Sequence, residues 1–341
     1  MAYTDIDKPS DYFETVLYTG NGGTQSITSL DFAPALCWFK SRTTTDAHAW
    51  YDSVRGATKR IKSNSADAET TQSTALTSFN SDGFSIGAGG DVNTNNATYA
   101  SWNFKANGAG SANTDGSISS TVSANTTSGF SIVTVANVGS ANFTFGHGLG
   151  VAPSWVLAKS RDGGKWNNYF KSLGAGYTIQ LPETGAKISN TAIWQNTNPT
   201  SSVVYSNGGQ LDANESYVFY CFAPKQGYSK FGSYVGNGSG TDGTFVYTGF
   251  LPSFIMFKST STTGGWEIHD NKRDTFNVSS KRLFPNLSNA EATENYVDFV
   301  SNGFKFRTGD ANGNTNGTSY IYMAFAENPF VTSTGVPATA R

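Results

Sequence analysis

Charge is scarce in this sequence: 23 Lys and Arg and 25 Asp and Glu among 341 residues, for a net of −2. No basic stripe is present. Capture of a polyanionic backbone needs clustered Lys and Arg, so nucleic acid is excluded as a partner. Cysteine is almost absent. Cys37 and Cys221 sit on apolar runs far apart and predict buried free thiols, not a disulfide. Of three histidines, His147 stands in Gly146-His-Gly-Leu-Gly150 with no second histidine near it, so the glycines predict a tight turn and not a metal site. No apolar run approaches the ~18 residues of a membrane span. The start, Met1-Ala-Tyr-Thr-Asp5, lacks the charged and apolar segments of a secretion signal, so synthesis and folding in a cytoplasm are expected. There is no Gly-x-Ser-x-Gly elbow or phosphate loop, and no pair of carboxylates is marked out as in a glycosidase. No catalytic residue and no cofactor is therefore expected.

What is abundant is Gly (37 residues), Ser, Thr, Asn and aromatics (14%), with few helix formers. That is the profile of an all-β chain with many turns. It also repeats. Pro34, Pro153 and Pro252 are each followed by an apolar run and then by a lysine six residues on, Lys40, Lys159 and Lys258. Tyr99, Tyr217 and Tyr320 follow, each with a phenylalanine five residues later: Phe104, Phe222 and Phe325. A unit of roughly a hundred residues recurring in this way predicts tandem duplication. The outer copies agree further, in Asp52/Arg55 with Asp270/Arg273, Lys59-Arg60 with Lys281-Arg282, Glu69 with Glu291, and Ser81-Asp-Gly-Phe84 with Ser301-Asn-Gly-Phe304. The middle copy keeps only the frame, including Ser206-Asn-Gly208.

The sequence divides into a polar leader (1–11), a first repeat (12–106), a linker with at most one short strand (107–127), a divergent second repeat (128–225), a third repeat (226–330) and a short tail (331–341). Phe130-Ser-Ile132-Val-Thr-Val135 alternates as a half-buried strand does. Tyr217–Phe222 and Tyr320–Phe325 read as strands buried on both faces. Asn21-Gly22 and Asn237-Gly238 mark turns. The charged stretch 60–71 has room for one helical turn at most. Seven to ten short strands per hundred residues predict three tandem β-sandwich or jelly-roll domains, set in a row.

Two sets of residues are candidate sites. Trp50, Asp52 and Arg55 recur as Trp266, Asp270 and Arg273. An aromatic face for a sugar ring, beside a carboxylate and a guanidinium for its hydroxyls, would make a glycan platform. The alternative is a structural ion pair at a strand-to-loop corner, with the tryptophan in the core. The second repeat has Phe170 and Leu173 in place of the pair, a swap that a buried ion pair tolerates. Asp91 and Asn93, and Asp310 and Asn312, share an Asp-x-Asn-x-Asn spacing that can place oxygens around Ca²⁺. One carboxylate per loop is little charge for that ion, and Asx residues also bond their own backbone in turns, so the turn reading is preferred.

Several stretches resemble an uncharacterised repeat domain of tailed bacteriophages, many of which infect marine bacteria and cyanobacteria. They are Tyr18-Thr-Gly-Asn-Gly22, Asp52-Ser-Val-Arg-Gly-Ala-Thr-Lys59, Leu76-Thr-Ser-Phe-Asn-Ser-Asp-Gly-Phe84, Asn113-Thr-Asp-Gly-Ser-Ile118, His147-Gly-Leu-Gly-Val-Ala-Pro153 and Ala324-Phe-Ala-Glu-Asn-Pro-Phe330. The resemblance covers nearly the whole chain. It implies a tail-fibre-like virion structural protein with a lectin-like β-sandwich fold, and it brings no catalytic residues. The expected role is a tail fibre or tail-associated adhesin on the outside of the particle. Its partners would be other virion proteins and a host surface glycan, and it would act as a homo-oligomer. A capsid decoration or head-fibre protein is the alternative, and a polysaccharide depolymerase the enzymatic rival.

Overall fold

Alternation along the recurring strands decides the architecture. In Leu36–Ser41, the side chains of Leu36 and Trp38 point one way and those of Cys37 and Phe39 the other, and both sets are buried. The same split occurs in Trp155–Ser160 and Phe250–Ser259, and in the central partner strands Thr98–Phe104, Tyr217–Phe222 and Ser319–Pro329. A strand apolar on both faces must be covered on both. In the computed structural model, which describes residues 2–339, this is met by placing each such strand in a sheet between two cores.

The chain is nearly all β, with 27 strands, a 3-10 turn at Pro9–Asp11 and two single-turn helices, Gly90–Asn93 and Gly208–Leu211, among the described residues. Each repeat contributes an inner sheet. In the first, the strand order is Phe13–Thr19, Thr98–Phe104, Leu36–Ser41, Ala49–Asp52, Lys59–Lys62 and Thr70–Thr71. The second has eight strands and the third four, with the equivalent strands again in the middle. An outer sheet lies behind each, of three strands in the first repeat, two in the second and four in the third. The space between an inner sheet and its outer sheet holds a private core: Cys37, Phe39 and Phe84 in the first repeat, Val156, Phe219 and Cys221 in the second, Ile255, Phe257 and Phe304 in the third.

The opposite faces of the three inner sheets share one core. Trp38, Trp102, Phe104, Trp155, Tyr220, Phe222, Phe254, Met323 and Phe325, drawn from all three repeats, belong to a single buried cluster. At its centre the three recurring phenylalanines touch one another: Phe104 to Phe222 at 5.8 Å, Phe104 to Phe325 at 5.4 Å, Phe222 to Phe325 at 6.1 Å. Burying each contributes about 1.5–3 kcal/mol. The repeats therefore close around a common centre and are not set in a row.

Three local expectations change with this arrangement. Residues 107–127 carry two strands, Ser111–Asn113 and Ser120–Asn125, which edge the inner sheet of the second repeat in antiparallel register. Val122 faces that repeat's private core, so the segment is packed and is no linker. The charged stretch after Arg60 is a strand pair, Lys59–Lys62 with Thr70–Thr71. The leader is tied down: Ile6 enters the shared core, the Tyr3 hydroxyl donates to the Gly249 carbonyl at 2.6 Å, and Thr4 Oγ1 donates to the Gln226 carbonyl at 2.8 Å. The turn at Gly148 and Gly150 forms as expected, both with φ of +69°, and the buried His147 ring bridges the Leu149 amide and the Thr200 carbonyl. Both cysteines are buried and free, and burial pushes both thiols up, Cys221 to about 12. No helix among the described residues is long and apolar enough to cross a membrane.

Candidate functional site

The recurring polar residues gather where one repeat meets the next. Asp52 ends the strand Ala49–Asp52 and accepts the Val54 and Arg55 amides at 3.1 and 2.9 Å, which turns the chain so that Arg55 Nε meets Asp52 Oδ2 at 2.5 Å. Across the seam, the Tyr220 hydroxyl of the second repeat donates to the same carboxylate oxygen at 2.7 Å. Arg55 reaches Glu69 at 3.0 Å, and Arg161 of the second repeat forks onto Glu69 at 2.9 and 2.8 Å. Burial pushes the Glu69 carboxyl up, but the two guanidinium groups outweigh it and hold the group below the usual range.

The third repeat meets the first in the same way. Asp270 and Arg273 pair at 2.6 Å, the Trp102 indole donates to Asp270 at 3.1 Å, Arg273 reaches Glu291 at 3.2 Å, and Arg42 forks onto Glu291 at 2.9 and 2.8 Å. The bond to Glu291 raises the Arg42 guanidinium further above its ordinary value. One backbone hydrogen bond repeats around the ring, Glu69 N to Arg161 O, Glu291 N to Arg42 O and Lys187 N to Thr260 O, at 2.8, 2.9 and 3.0 Å. The seam between the second and third repeats keeps this bond but carries Phe170, Leu173, Lys187, Met323 and Thr260 where the others carry Asp, Arg, Glu, an indole or phenol, and Arg.

The glycan platform expected at Trp50, Asp52, Arg55, Trp266, Asp270 and Arg273 is not formed by these residues. The side chains of both Asp–Arg pairs have no exposed surface, and Trp50 and Trp266 are core residues. A carboxylate already holding a guanidinium, two amides and a hydroxyl has no lone pair to offer a sugar. The two tryptophans are not counterparts either. Trp50 lies opposite Trp38, whereas Trp266 lies opposite Lys258, two residues further along the strand. Trp266 corresponds to Trp166 of the second repeat and His48 of the first. Trp166 Nε1 donates to the Lys62 carbonyl at 2.8 Å and Trp266 Nε1 to the Gln180 carbonyl at 3.2 Å, each across a seam.

The two Asx loops serve as turns. Asp91 pairs with Arg60. Asn93 is fully buried and donates to Gly23 O and Gly87 O at 2.6 and 2.8 Å. Asp310 accepts the Tyr296 hydroxyl at 2.6 Å and the Asn312 amide at 2.8 Å, and Asn312 Oδ1 accepts the Gly265 amide at 2.8 Å. Among the described residues no three His, Cys, Asp or Glu side chains converge as a metal site would require. The recurring lysines close the hairpins that follow them. Lys40 donates to the Ser41 and Thr44 carbonyls, Lys159 to those of Gly163 and Gly164, and Lys258 to that of Ser259. Burial pushes each ammonium down to about 8.

Two features escape the sequence reading. Arg42 and Arg161 each stand two residues after a recurring lysine, with Thr260 in the third copy, so the arginine and the glutamate it binds are present and absent together. That joint pattern is a usable signal. The other is a buried cluster private to the third repeat. Arg282 forks onto Glu267 at 3.0 and 2.5 Å, and His269 stacks on Tyr296 at 4.9 Å with Nε2 3.5 Å from Glu267. The first repeat has Ala49 and Tyr51 at those places, so repeat comparison conceals it.

No curated protein and no solved structure matches the chain. A match to a domain of unknown function, DUF7483, runs from residue 8 to residue 329, across all three repeats and both charged seams as one unit. The chain therefore belongs to the DUF7483 family.

Proposed function

We propose that this chain is a non-enzymatic structural module on the exterior of a tailed-phage particle, built from three variants of one lectin-like β-sandwich, and that it contacts the host surface. The observation that carries the reading is where the recurring residues go. The phenylalanines join the shared core, the lysines cap hairpins, and the Asp–Arg–Glu sets lock seams. Duplication has gone into one rigid body, as suits a part under mechanical load. The buried carboxylates Asp52, Glu267 and Asp270 and the half-buried Glu69 and Glu291 are each held by arginine and are not poised in a cleft. The resemblance to virion proteins supplies the setting.

A second reading, capsid decoration, is favoured by the closed arrangement itself. A body whose repeats share one core is suited to capping a lattice point, whereas a fibre shaft would string its repeats out. Localisation on intact virions by cryo-electron microscopy tests both. Density at the tail supports host contact, density over the capsid lattice supports decoration, and absence of the chain from purified particles overturns the proposal.

A further inference from the structure

Three equivalent seams join the repeats, and two of them are filled. In those two, a guanidinium–carboxylate pair, Arg161 with Glu69 and Arg42 with Glu291, packs over the end of the central strand of the adjoining repeat. In the third seam Thr260 stands at the arginine position, Lys187 at the glutamate position, and Leu173 where Arg55 and Arg273 stand. Thr260 and Leu173 are shorter than the arginines of the other seams, and a notch of about 290 Å³ lies in that place. Its apolar surface comes from Leu173 and the exposed Val235, while Tyr320 and Ile321, whose side chains are buried on opposite faces of their strand, line it with backbone. Its walls carry the hydroxyl-bearing residues Ser172, Ser233 and Ser319. Lys187 is exposed at the edge, its ammonium 4.2 Å from the centre of the Tyr177 ring, and it forms no ion pair among the described residues.

We propose that this notch binds a sugar bearing a carboxylate, a uronic acid residue of a polysaccharide. The inference rests on the host-contact reading and names the ligand class for it. The apolar patch of Leu173 and Val235 takes the C–H face of a pyranose, flanking hydroxyls exchange hydrogen bonds with its ring hydroxyls, and the Lys187 ammonium, which has a ring but no carboxylate beside it, takes the carboxylate. The volume lies near the lower bound of roughly 300–1,000 Å³ typical of ligand sites, which suits one ring of a chain and not several. The sign of the charge is specific. Where the filled seams pair a glutamate with an arginine, this one has a cation at its edge and no carboxylate among the residues that line it.

Calorimetric titration of the full chain with hexagalacturonate, against neutral maltohexaose, tests the proposal with two variants. Lys187→Gln removes the cation. Thr260→Arg with Lys187→Glu rebuilds the third clamp and fills the notch. The expected result is binding of the uronate by the wild type, about tenfold weaker binding by Lys187→Gln, none by the filled variant, and a Tm that does not fall in either. Equal binding by the filled variant overturns the notch, and so does maltohexaose binding as tightly as the uronate. In both of those cases a glycan contact elsewhere on the chain survives. No binding by the wild type overturns the uronate site, and virion localisation then decides the host-contact reading independently.

Discussion

Asp52 and Arg55 hold opposite charges entirely out of water, and attraction alone does not justify that placement. Removing an ion from water costs several kcal/mol, which the partner repays only when the remaining donors and acceptors are also satisfied. Here they are: Asp52 accepts two amides, a guanidinium and a phenol, and Arg55 is shared among Asp52, Glu69 and the Lys59 carbonyl. Arg55→Met is expected to cost about 3–5 kcal/mol in urea unfolding, because it strands a buried carboxylate. The second–third seam shows the alternative with Phe170, Leu173 and Met323. Asp52→Phe, Arg55→Leu and Tyr220→Met together are therefore expected to recover most of that loss, and a triple variant as unstable as the single one would show that the charges are indispensable. A pH effect belongs to this scale too. His48, His147 and His269 are buried, and burial holds each imidazole below its ordinary value, which lies near 6.5. The unfolded chain then binds protons below pH 6.5 that the folded chain refuses, so stability present above that pH falls on acidification. Tm is expected to drop between pH 7 and pH 5, and a flat profile would contradict the burial. The Asp–Arg corners were legible in the sequence because they recur with their spacing. The matching of Trp50 with Trp266 was not correct, since a two-residue offset keeps a side chain on the same face of a strand and leaves the apolar pattern unchanged.

At the scale of the element, strands that recur were readable and strands that do not were hidden. Leu36–Ser41, Trp155–Ser160 and Phe250–Ser259 are apolar on both faces, which marks them as central. Ser111–Asn113 and Ser120–Asn125 are the last two strands of their sheet, with one weakly apolar face, so their composition is that of a loop, and only pairing makes them strands, Ser120–Asn125 with Phe130–Val135 and Ser111–Asn113 with Ser120–Asn125. The Asn/Asp-Gly signal shared by the repeats proves to be steric as well as a turn preference. A Cβ on Gly303 would run into the Val246 carbonyl oxygen, and one on Gly83 into that of Ile27, where the outer-sheet strands approach most closely. Gly303→Ala is expected to destabilise by about 1–3 kcal/mol through displacement of the strand Phe245–Tyr247. Gly185→Ala, with open space around it and no left-handed backbone, is the control and should leave Tm within error.

At the scale of the whole molecule, the recurrence of Phe104, Phe222 and Phe325 reported the number of repeats but not their closure. Spacing along a chain says that units are alike and is silent on whether their inner faces meet one another or solvent. The structure sets all three on one contact, with Phe13, Phe130 and Phe254 packed around them. Each repeat then depends on the others for half of the apolar surface of its inner sheet. Two consequences distinguish this from three independent sandwiches. Heat or urea should unfold the chain in one transition, with calorimetric and van't Hoff enthalpies in agreement, despite a length at which separate domains commonly unfold separately. Phe325→Ala, although it lies in the third repeat, should lower that single transition by about 3–5 kcal/mol and should not create a second one. Residues 226–330 expressed alone would expose Phe254, Met256, Met323 and Phe325 to water and are expected to be insoluble or unfolded. A soluble, cooperatively folded fragment of that span would show that the private core of the third repeat suffices, and that the shared centre is a docking surface between finished domains.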